Sequence, residues 1–212
     1  LDYELLTEKI SDEISNNLCP KNIYVPTFNY DFLKIGTYHH IESMSQIGRF
    51  SEEFRKKYRL NRSLDPVFSY TSLFYDNKID LGWCENAFEN KSFFETLNKI
   101  NYLVINIDLP TFTSTFIHYL ENKYKVPYRY NKKFQGKINY NDNYLNLTYS
   151  YFVRDLSVNS SYNGEKIGNF LKQKSILNSS SIFNTNIQWY RSDDLILELS
   201  RLVRNDINFF IN

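Results

Sequence analysis

Apolar residues recur at helical spacing at the start of the chain. Leu6, Ile10 and Ile14 stand four residues apart, which predicts a first helix. Cys19 and Pro20 end this pattern, because proline cannot continue a helix. The pattern shows no capping residue ahead of it, so we expect the chain to begin inside a helix and to lack its amino-terminal segment.

A strand and a second helix are predicted next. The run 22–28 is short, apolar and rich in β-branched and aromatic residues, which is typical of a strand. Ser45 is placed to cap the helix, and Gly48 is a weak point within it. The apolar stripe of this helix is expected to consist of Ile47, Phe50, Phe54 and Tyr58.

The middle of the chain alternates helices with an apolar run. Ser92 begins a capping-box sequence that predicts a helix through Ile100. The run 102–108 is almost continuously apolar, which favours a buried strand. A short helix is predicted around Thr115 to Glu121, so this part of the chain indicates an α/β layer.

The carboxyl-terminal part changes to alternating aromatic and polar residues. Over 127–155 this alternation predicts an antiparallel hairpin. The serine-rich stretch 175–181 is expected to be a surface loop, and Ser192 to cap a final helix. The buried face of that helix is expected to contain Leu195, Leu199, Leu202 and Phe210. We therefore predict an α/β fold with a mixed central sheet flanked by helices and a hairpin region, in a single domain over 1–212.

Composition excludes several classes of function. The 212 residues carry a formal net charge of +1, and the lysines and arginines are scattered, so no nucleic-acid surface is expected. No apolar run reaches the roughly 20 residues of a membrane span, and no signal peptide is visible, so we predict a cytoplasmic protein. With six glycines and no glycine-rich phosphate loop, nucleotide triphosphate chemistry is disfavoured.

Metal binding is not expected either. Cys19 and Cys84 are far apart in sequence and neither has a paired metal spacing. His39 and His40 are adjacent, so on a strand they would point to opposite sides.

The strongest candidate for chemistry is a histidine on the short middle helix. Thr115, His118 and Glu121 lie three residues apart, so on a helix they share one face. An imidazole beside a carboxylate can act as a general base near pH 7, because the carboxylate fixes the tautomer. The same pair also occurs as a purely structural contact inside proteins.

Six short motifs, in this order, resemble those of the aminoglycoside 3-N-acetyltransferase family. The resemblance extends from Ile23 to Arg154. The motif segments are 23–28, 47–56, 62–69, 88–93, 115–121 and 128–136.

The resemblance implies a coenzyme A-dependent N-acyltransferase of that family's fold, which uses acetyl-CoA or another acyl-CoA and no metal. It implies His118 as the base, oriented by Glu121, with Thr115 on the same helical face. Because backbone amides or a hydroxyl should stabilise the oxyanion, Thr115 is also a candidate for that role. Acyl-donor binding is assigned to Arg62, Ser63 and Ser69.

The acceptor implied by the resemblance is a small amino sugar or an aminoglycoside. Asp65, Glu85 and Tyr38 are the residues expected to contact this cationic acceptor. Resistance-type members usually carry histidine where this chain has Asp65, which favours the branch that acts on amino sugars of surface polysaccharides.

Two other hypotheses are compatible with the residues. Cys84 and His118 could form a thiol-dependent enzyme. A chain this rich in tyrosine and asparagine could also be a non-catalytic carbohydrate-binding or assembly module.

Overall fold

A computed structural model describes residues 2–75, 85–89, 92–97, 102–107, 109–182 and 185–212. These residues form a mixed α/β fold, as predicted. The helices are α1 (Tyr3–Leu18), α2 (Asp31–Ile35), α3 (Arg49–Lys57), α4 (Phe93–Leu97), α5 (Thr115–Tyr124), α6 (Gly164–Gln173) and α7 (Ser192–Asn205). The strands are β1 (Tyr24–Pro26), β2 (Thr37–His39), β3 (Tyr70–Ser72), β4 (Leu103–Ile107), β5 (Arg129–Tyr140), β6 (Asn143–Arg154), β7 (Asn178–Ile182) and β8 (Thr185–Arg191).

The described residues divide into two compact units. Those within 1–87, 91–93 and 133–151 form the first, and those within 88–90, 94–132 and 152–212 form the second. The prediction of one domain over 1–212 stays a prediction, and each unit is described separately below.

The first unit contains two small sheets and the helices α1 to α3. In one sheet β1 pairs antiparallel with β3, and in the other β2 pairs in parallel with β5. Gly136 of β5 has no room for a side chain, because a Cβ there would lie 2.4 Å from the Gly36 carbonyl oxygen. The core of the unit is largely aromatic and includes Phe28, Phe32, Tyr38, Phe54, Phe68 and Tyr149.

The second unit is built on an antiparallel sheet with the order β4-β8-β7 and on the helices α4 to α7. Helix α5 contacts α7. The apolar interior includes Phe94, Phe112, Ile117, Leu120, Ile167, Leu171, Leu195, Leu199 and Phe210. Leu195 and Leu199 are thus buried as predicted, and Phe210 is buried beyond the end of α7.

The predicted hairpin is confirmed. Strands β5 and β6 are neighbours in their sheet. They are joined by Asn141 and Asp142, which have φ values of 49° and 61°. Two consecutive positive φ values are characteristic of the two-residue turn whose twist matches that of the flanking strands, and Asn and Asp tolerate this conformation.

Three predictions about helix starts were wrong. Ser192 does not cap α7 but is its first residue, and its hydroxyl accepts from the Tyr102 amide at 2.9 Å. Asp2 does cap α1, since its side chain accepts a hydrogen bond of 3.1 Å from the amide of Leu5. Ser45 does not cap α3, which begins at Arg49 after Gly48. Its amide instead donates to Glu52 at 2.7 Å. Gly48 has a φ of 145°, outside the range of a helix, and therefore marks the boundary.

The predicted apolar face of α1 is also not the buried one. Leu6 is exposed, whereas Thr7 and Ser11 are buried where α1 contacts α3. The Ser11 hydroxyl donates to the Thr7 carbonyl at 2.8 Å, so this buried hydroxyl is hydrogen-bonded within its own helix.

Two predictions about strands were wrong as well. Strand β4 is not buried: Leu103, Ile105 and Ile107 are 37–48% exposed. Within the described residues β4 is an edge strand that pairs with β8 alone. The serine-rich stretch is not a loop but contributes to β7, where Ser180 pairs with Ile187. The backbone of this stretch pairs with β8 and so forms a strand, although its serine side chains are exposed.

Candidate active site

Helix α5 is fixed at both ends. Its N-cap is Ser114, whose hydroxyl oxygen accepts from the amide of Phe116 at 3.3 Å and from the Tyr190 hydroxyl at 2.9 Å. At the other end Lys125 adopts the left-handed conformation with a φ of 50°, which is a common helix stop. The three candidate catalytic residues therefore lie on a short helix with defined ends.

His118 and Glu121 form the predicted pair. His118 Nδ1 lies 2.7 Å from Glu121 Oε2. The His118 side chain is 33% exposed, whereas that of Glu121 is 2% exposed. An ionised carboxylate only accepts hydrogen bonds, so Nδ1 carries the proton and donates a hydrogen bond to Glu121. The imidazole Nε2 is then an acceptor, and within the described residues it has no hydrogen-bond partner.

The Glu121 carboxylate is ionised despite its burial. Burial alone would raise its pKa, but the hydrogen bond from His118, together with the charge of Arg129, holds that pKa below its ordinary value. The Tyr128 hydroxyl faces the same carboxylate, and burial followed by the Glu121 charge raises the pKa of Tyr128. Tyr128 is therefore neutral, and Glu121 is an anion in a largely enclosed place.

A third charged residue, Arg129, completes this cluster. Its Nε lies 2.8 Å from Glu121 Oε2, and its Nη2 lies 3.1 Å from His118 Nδ1. Its Nη1 donates to the Phe152 carbonyl at 3.1 Å. Sequence reasoning missed Arg129, because nothing in its neighbourhood along the chain indicates that the start of β5 approaches α5.

Thr115 occupies the first position of α5, one turn before His118, as predicted. It is half-buried, and its hydroxyl forms no hydrogen bond within the described part of the chain. The face shared by Thr115, His118 and Glu121 is present, and the role of Thr115 in oxyanion stabilisation stays a prediction.

The residues assigned to acyl-donor binding lie in the first unit. The Arg62 guanidinium is buried and donates to the Thr27 carbonyl at 2.7 Å and to the His40 carbonyl at 3.1 Å. Its Nε donates to the Ser69 hydroxyl at 3.1 Å. The Ser63 hydroxyl accepts from the Tyr70 amide at 2.9 Å. These three side chains hold the loop 62–70 in shape, and their assignment to donor binding stays a prediction.

Two of the residues assigned to the acceptor are enclosed in the same unit. The Asp65 carboxylate accepts from the amides of Val67 and Phe68 at 2.8 and 2.7 Å. Both of its oxygens also lie 3.1 Å from the Tyr149 hydroxyl. Tyr38 is fully buried, with the Arg62 guanidinium 5.2 Å from its ring centroid. Neither side chain presents a free surface in this arrangement, and their contact with an acceptor is untested.

Glu85 differs from these two, because it is exposed. It lines a cavity of about 530 Å³ together with Lys133, Asn146, Leu147, Thr148 and Ser150. The carbonyl oxygen of Glu85 accepts from the Ser150 amide at 2.7 Å, which ties it to β6. Cys84, the residue of the thiol hypothesis, lies outside the described residues.

Within the described ranges, no three His, Cys, Asp or Glu side chains are grouped so that they could hold a metal ion. His40 is buried and its Nε2 lies 2.7 Å from the Arg62 carbonyl oxygen. Burial lowers the pKa of His40, so this ring is neutral.

Among the helices of the described residues, none has the length and apolar character needed to cross a bilayer.

Comparison with solved structures finds the same fold in several enzymes. AAC-VIa bound to sisomicin gives a TM-score of 0.74 at 12% identity, covering 94% of this chain and 84% of that one. AAC-IIIb in a binary complex with coenzyme A gives 0.71 at 12% identity, with 94% and 83% covered. A variant of AAC(3)-IVa in complex with a gentamicin gives 0.73 at 15% identity, with 97% and 78% covered.

At these identities the structural likeness establishes the fold alone. No curated protein sequence matches the chain. The family model for aminoglycoside 3-N-acetyltransferase, however, matches residues 21–204, which is most of the chain, and thereby confirms the resemblance found in the six motifs. The chain therefore belongs to the aminoglycoside 3-N-acetyltransferase family and is an acetyl-CoA-dependent N-acyltransferase.

Proposed function

We propose that this protein transfers an acyl group from acyl-CoA to an amino group of an amino sugar or aminoglycoside, with His118 as the general base. The observation that carries the proposal is the 2.7 Å contact between His118 Nδ1 and Glu121 Oε2 on a ring that is one-third exposed. One nitrogen of the ring is bound to a carboxylate, and the other is available to a nucleophile.

The reaction needs a base at this position. An amine is mostly protonated at neutral pH and must reach the thioester as the free amine. As the amine nitrogen bonds to the thioester carbonyl carbon, an N–H proton passes to His118 Nε2. The carbon–sulfur bond then breaks, and the departing thiolate takes that proton. The products are an amide and a free thiol, and His118 is neutral again.

Glu121 serves this cycle in two ways. By accepting from Nδ1 it fixes the ring orientation and leaves the lone pair on Nε2. Its negative charge also stabilises the imidazolium that exists while the proton is on Nε2. The pair is therefore suited to accept and return one proton in each turnover.

The acyl donor follows from the family, and one of its structural relatives was solved with coenzyme A. A direct contact from Arg62, Ser63 or Ser69 to that donor would require their buried polar atoms to exchange partners. A contribution through the shape of the loop 62–70 requires no such exchange.

The acceptor is proposed as an amino sugar in the broad sense. Structural relatives were solved with sisomicin and gentamicin, both aminoglycosides. In this chain Asp65 stands where resistance-type relatives usually carry histidine, which supports an acceptor other than these antibiotics.

The test is acyl transfer by the purified protein. Acetyl-CoA would be combined with a panel of amino sugars and aminoglycosides, and thiol release would be measured with and without acceptor. Thiol release that requires an acceptor, together with a base-stable acetylated product, is expected. A base-labile product would indicate transfer to oxygen and would overturn the assignment to an amine.

Two variants test the base. His118→Ala should lower kcat by about 10²–10⁴-fold, the range that a positioned general base supplies. The matched control is His39→Ala, a half-buried histidine of β2 outside the pair, which should retain wild-type turnover. Equal activity of His118→Ala and the wild type would reject the assignment.

A further inference from the structure

Arg129 is a largely buried arginine with three polar contacts. Its side chain is 11% exposed, and it reaches Glu121, His118 and the Phe152 carbonyl at 2.8, 3.1 and 3.1 Å. These contacts connect α5 to the first residue of β5 and to β6, all within the second unit. A buried guanidinium in such a place is costly unless its charge and its donors are matched.

The protons in this cluster can be assigned from donor and acceptor types. Arginine only donates, so its Nη2 could hydrogen-bond to His118 Nδ1 only if that atom were an acceptor. Nδ1 is closer to the Glu121 carboxylate, at 2.7 Å, and a carboxylate cannot donate. Nδ1 therefore carries the proton toward Glu121, and Nη2 lies beside it as a nearby positive charge.

Arg129 also limits where the Glu121 carboxylate can lie. Its Nε is 2.8 Å from Glu121 Oε2, the same oxygen that lies 2.7 Å from His118 Nδ1. Arg129 and His118 therefore approach one carboxylate oxygen from two different elements. Without Arg129, that oxygen would lose its other charged contact among the described residues.

The surroundings contain no further charge that would replace Arg129. Among the described residues, Glu121 and Arg129 are the charged groups within bonding distance of the His118 ring. The Tyr128 hydroxyl faces Glu121, whereas that of Tyr162 donates to the Phe112 carbonyl at 2.9 Å. Burial raises the pKa of both tyrosines, so they are neutral. The position of the Glu121 carboxylate beside the ring is thus determined locally by Arg129.

We propose that Arg129 is a positioning residue: it holds the Glu121 carboxylate against His118 Nδ1 and thereby keeps Nε2 of that ring as the proton acceptor. This inference rests on the proposed function for its effect on turnover. Its prediction about the state of the ring does not depend on turnover at all.

The primary test is NMR of the imidazole nitrogens and carbon-bound protons. The chain has three histidines, so the His118 signals can be assigned by their loss in His118→Ala. In the wild type the neutral ring should be the Nδ1–H tautomer. Observation of the Nε2–H tautomer in the wild type would overturn the inference without any substitution at Arg129.

Arg129→Gln removes the charge and keeps a polar side chain. The share of the Nδ1–H tautomer of His118 should fall in this variant, because the Glu121 carboxylate loses the group that holds it against Nδ1. Arg129→Lys retains the charge and should keep most of the Nδ1–H tautomer. The matched control Arg201→Gln breaks an exposed pair with Glu198 on α7 and should change nothing.

Kinetics supply the second readout. In Arg129→Gln kcat at neutral pH should fall by about tenfold, because the base is no longer held in one orientation. An unchanged tautomer in a folded Arg129→Gln protein refutes the inference. A changed tautomer in a protein that acetylates no acceptor refutes the proposed function and leaves the inference about the ring intact.

Discussion

Replacing Glu121 by glutamine tests the centre of the site with almost no change in shape. The amide oxygen of the variant can still accept from His118 Nδ1. The negative charge is lost, however, so Arg129, whose Nε lies 2.8 Å from Glu121 Oε2 in the wild type, no longer has an anionic partner there. The variant therefore separates the geometric role of Glu121 from its electrostatic role.

The expected loss of stability follows from these contacts. A hydrogen bond to a charged group contributes about 1.5–3 kcal/mol. Breaking a fully buried ion pair on one side costs about 3–5 kcal/mol. Because His118 is one-third exposed and water can reach that end of the cluster, we expect a loss of about 2–3 kcal/mol at neutral pH. Turnover should fall by about 10²-fold, since the base loses the charge that stabilises its protonated form.

The stability difference should also depend on pH in a defined direction. The pKa of Glu121 is lowered in the folded protein from its ordinary value of 4.5. A lowered pKa means that the contribution of this carboxylate is complete above 4.5 and is lost as the pH falls through the folded value. The wild type and Glu121→Gln should therefore converge in stability as the solution becomes more acidic.

Urea unfolding at neutral and acidic pH, together with steady-state kinetics, measures these effects. Glu198→Gln is the matched control, because Glu198 pairs with Arg201 on the surface of α7 and should cost less than about 1 kcal/mol. A variant as stable and as active as the wild type at neutral pH would refute the electrostatic role. A difference that grows toward acidic pH would refute the assigned pKa direction.

Three further outcomes are expected. Asp65→Asn should lower the free energy of unfolding in urea by about 2–3 kcal/mol, because a buried carboxylate loses its charged bonds to two amides and to Tyr149. Tyr149→Phe, as its control, should cost about 1 kcal/mol. Gly136→Ala should lower the melting temperature, because the new Cβ would lie 2.4 Å from the Gly36 carbonyl oxygen. Cys84→Ser should leave acetyl transfer unchanged, and loss of transfer would favour the thiol mechanism.

Local patterns along the chain predicted those elements that depend on local interactions. The helix around Thr115 to Glu121 and the hairpin over 127–155 were both predicted. The structure shows that the first is capped by Ser114 and that the second turns at Asn141 and Asp142. The signal for α6 was present but overlooked: Asn163 caps it through the Lys166 amide at 2.9 Å. These are properties of a few neighbouring residues.

Features that depend on distant partners were predicted poorly. The apolar run of β4 was expected to be buried, but an apolar run does not reveal whether a strand lies at the centre or at the edge of a sheet. The serine-rich strand β7 forms because β8 offers it a backbone ladder. The contact of Arg129 with the His118 pair joins residues eleven positions apart in the chain, on two different elements. No spacing rule for helices or strands describes such a contact.

The polar residues singled out from the sequence differ in whether the fold has already satisfied them. Arg62 and Asp65 have the charges that a ligand would need, but their atoms are bound to backbone groups and to buried side chains. Such bonds are the usual condition for burying a charge, and they stabilise the loop that carries them. His118 is different, since one ring nitrogen is bound to a buried anion and the other is left with an unshared lone pair. A catalytic group needs such an unsatisfied atom next to a satisfied one, because the satisfied atom sets the direction in which the other can accept a proton. On this criterion His118 is favoured over the other polar residues that were named from the sequence and lie within the described residues.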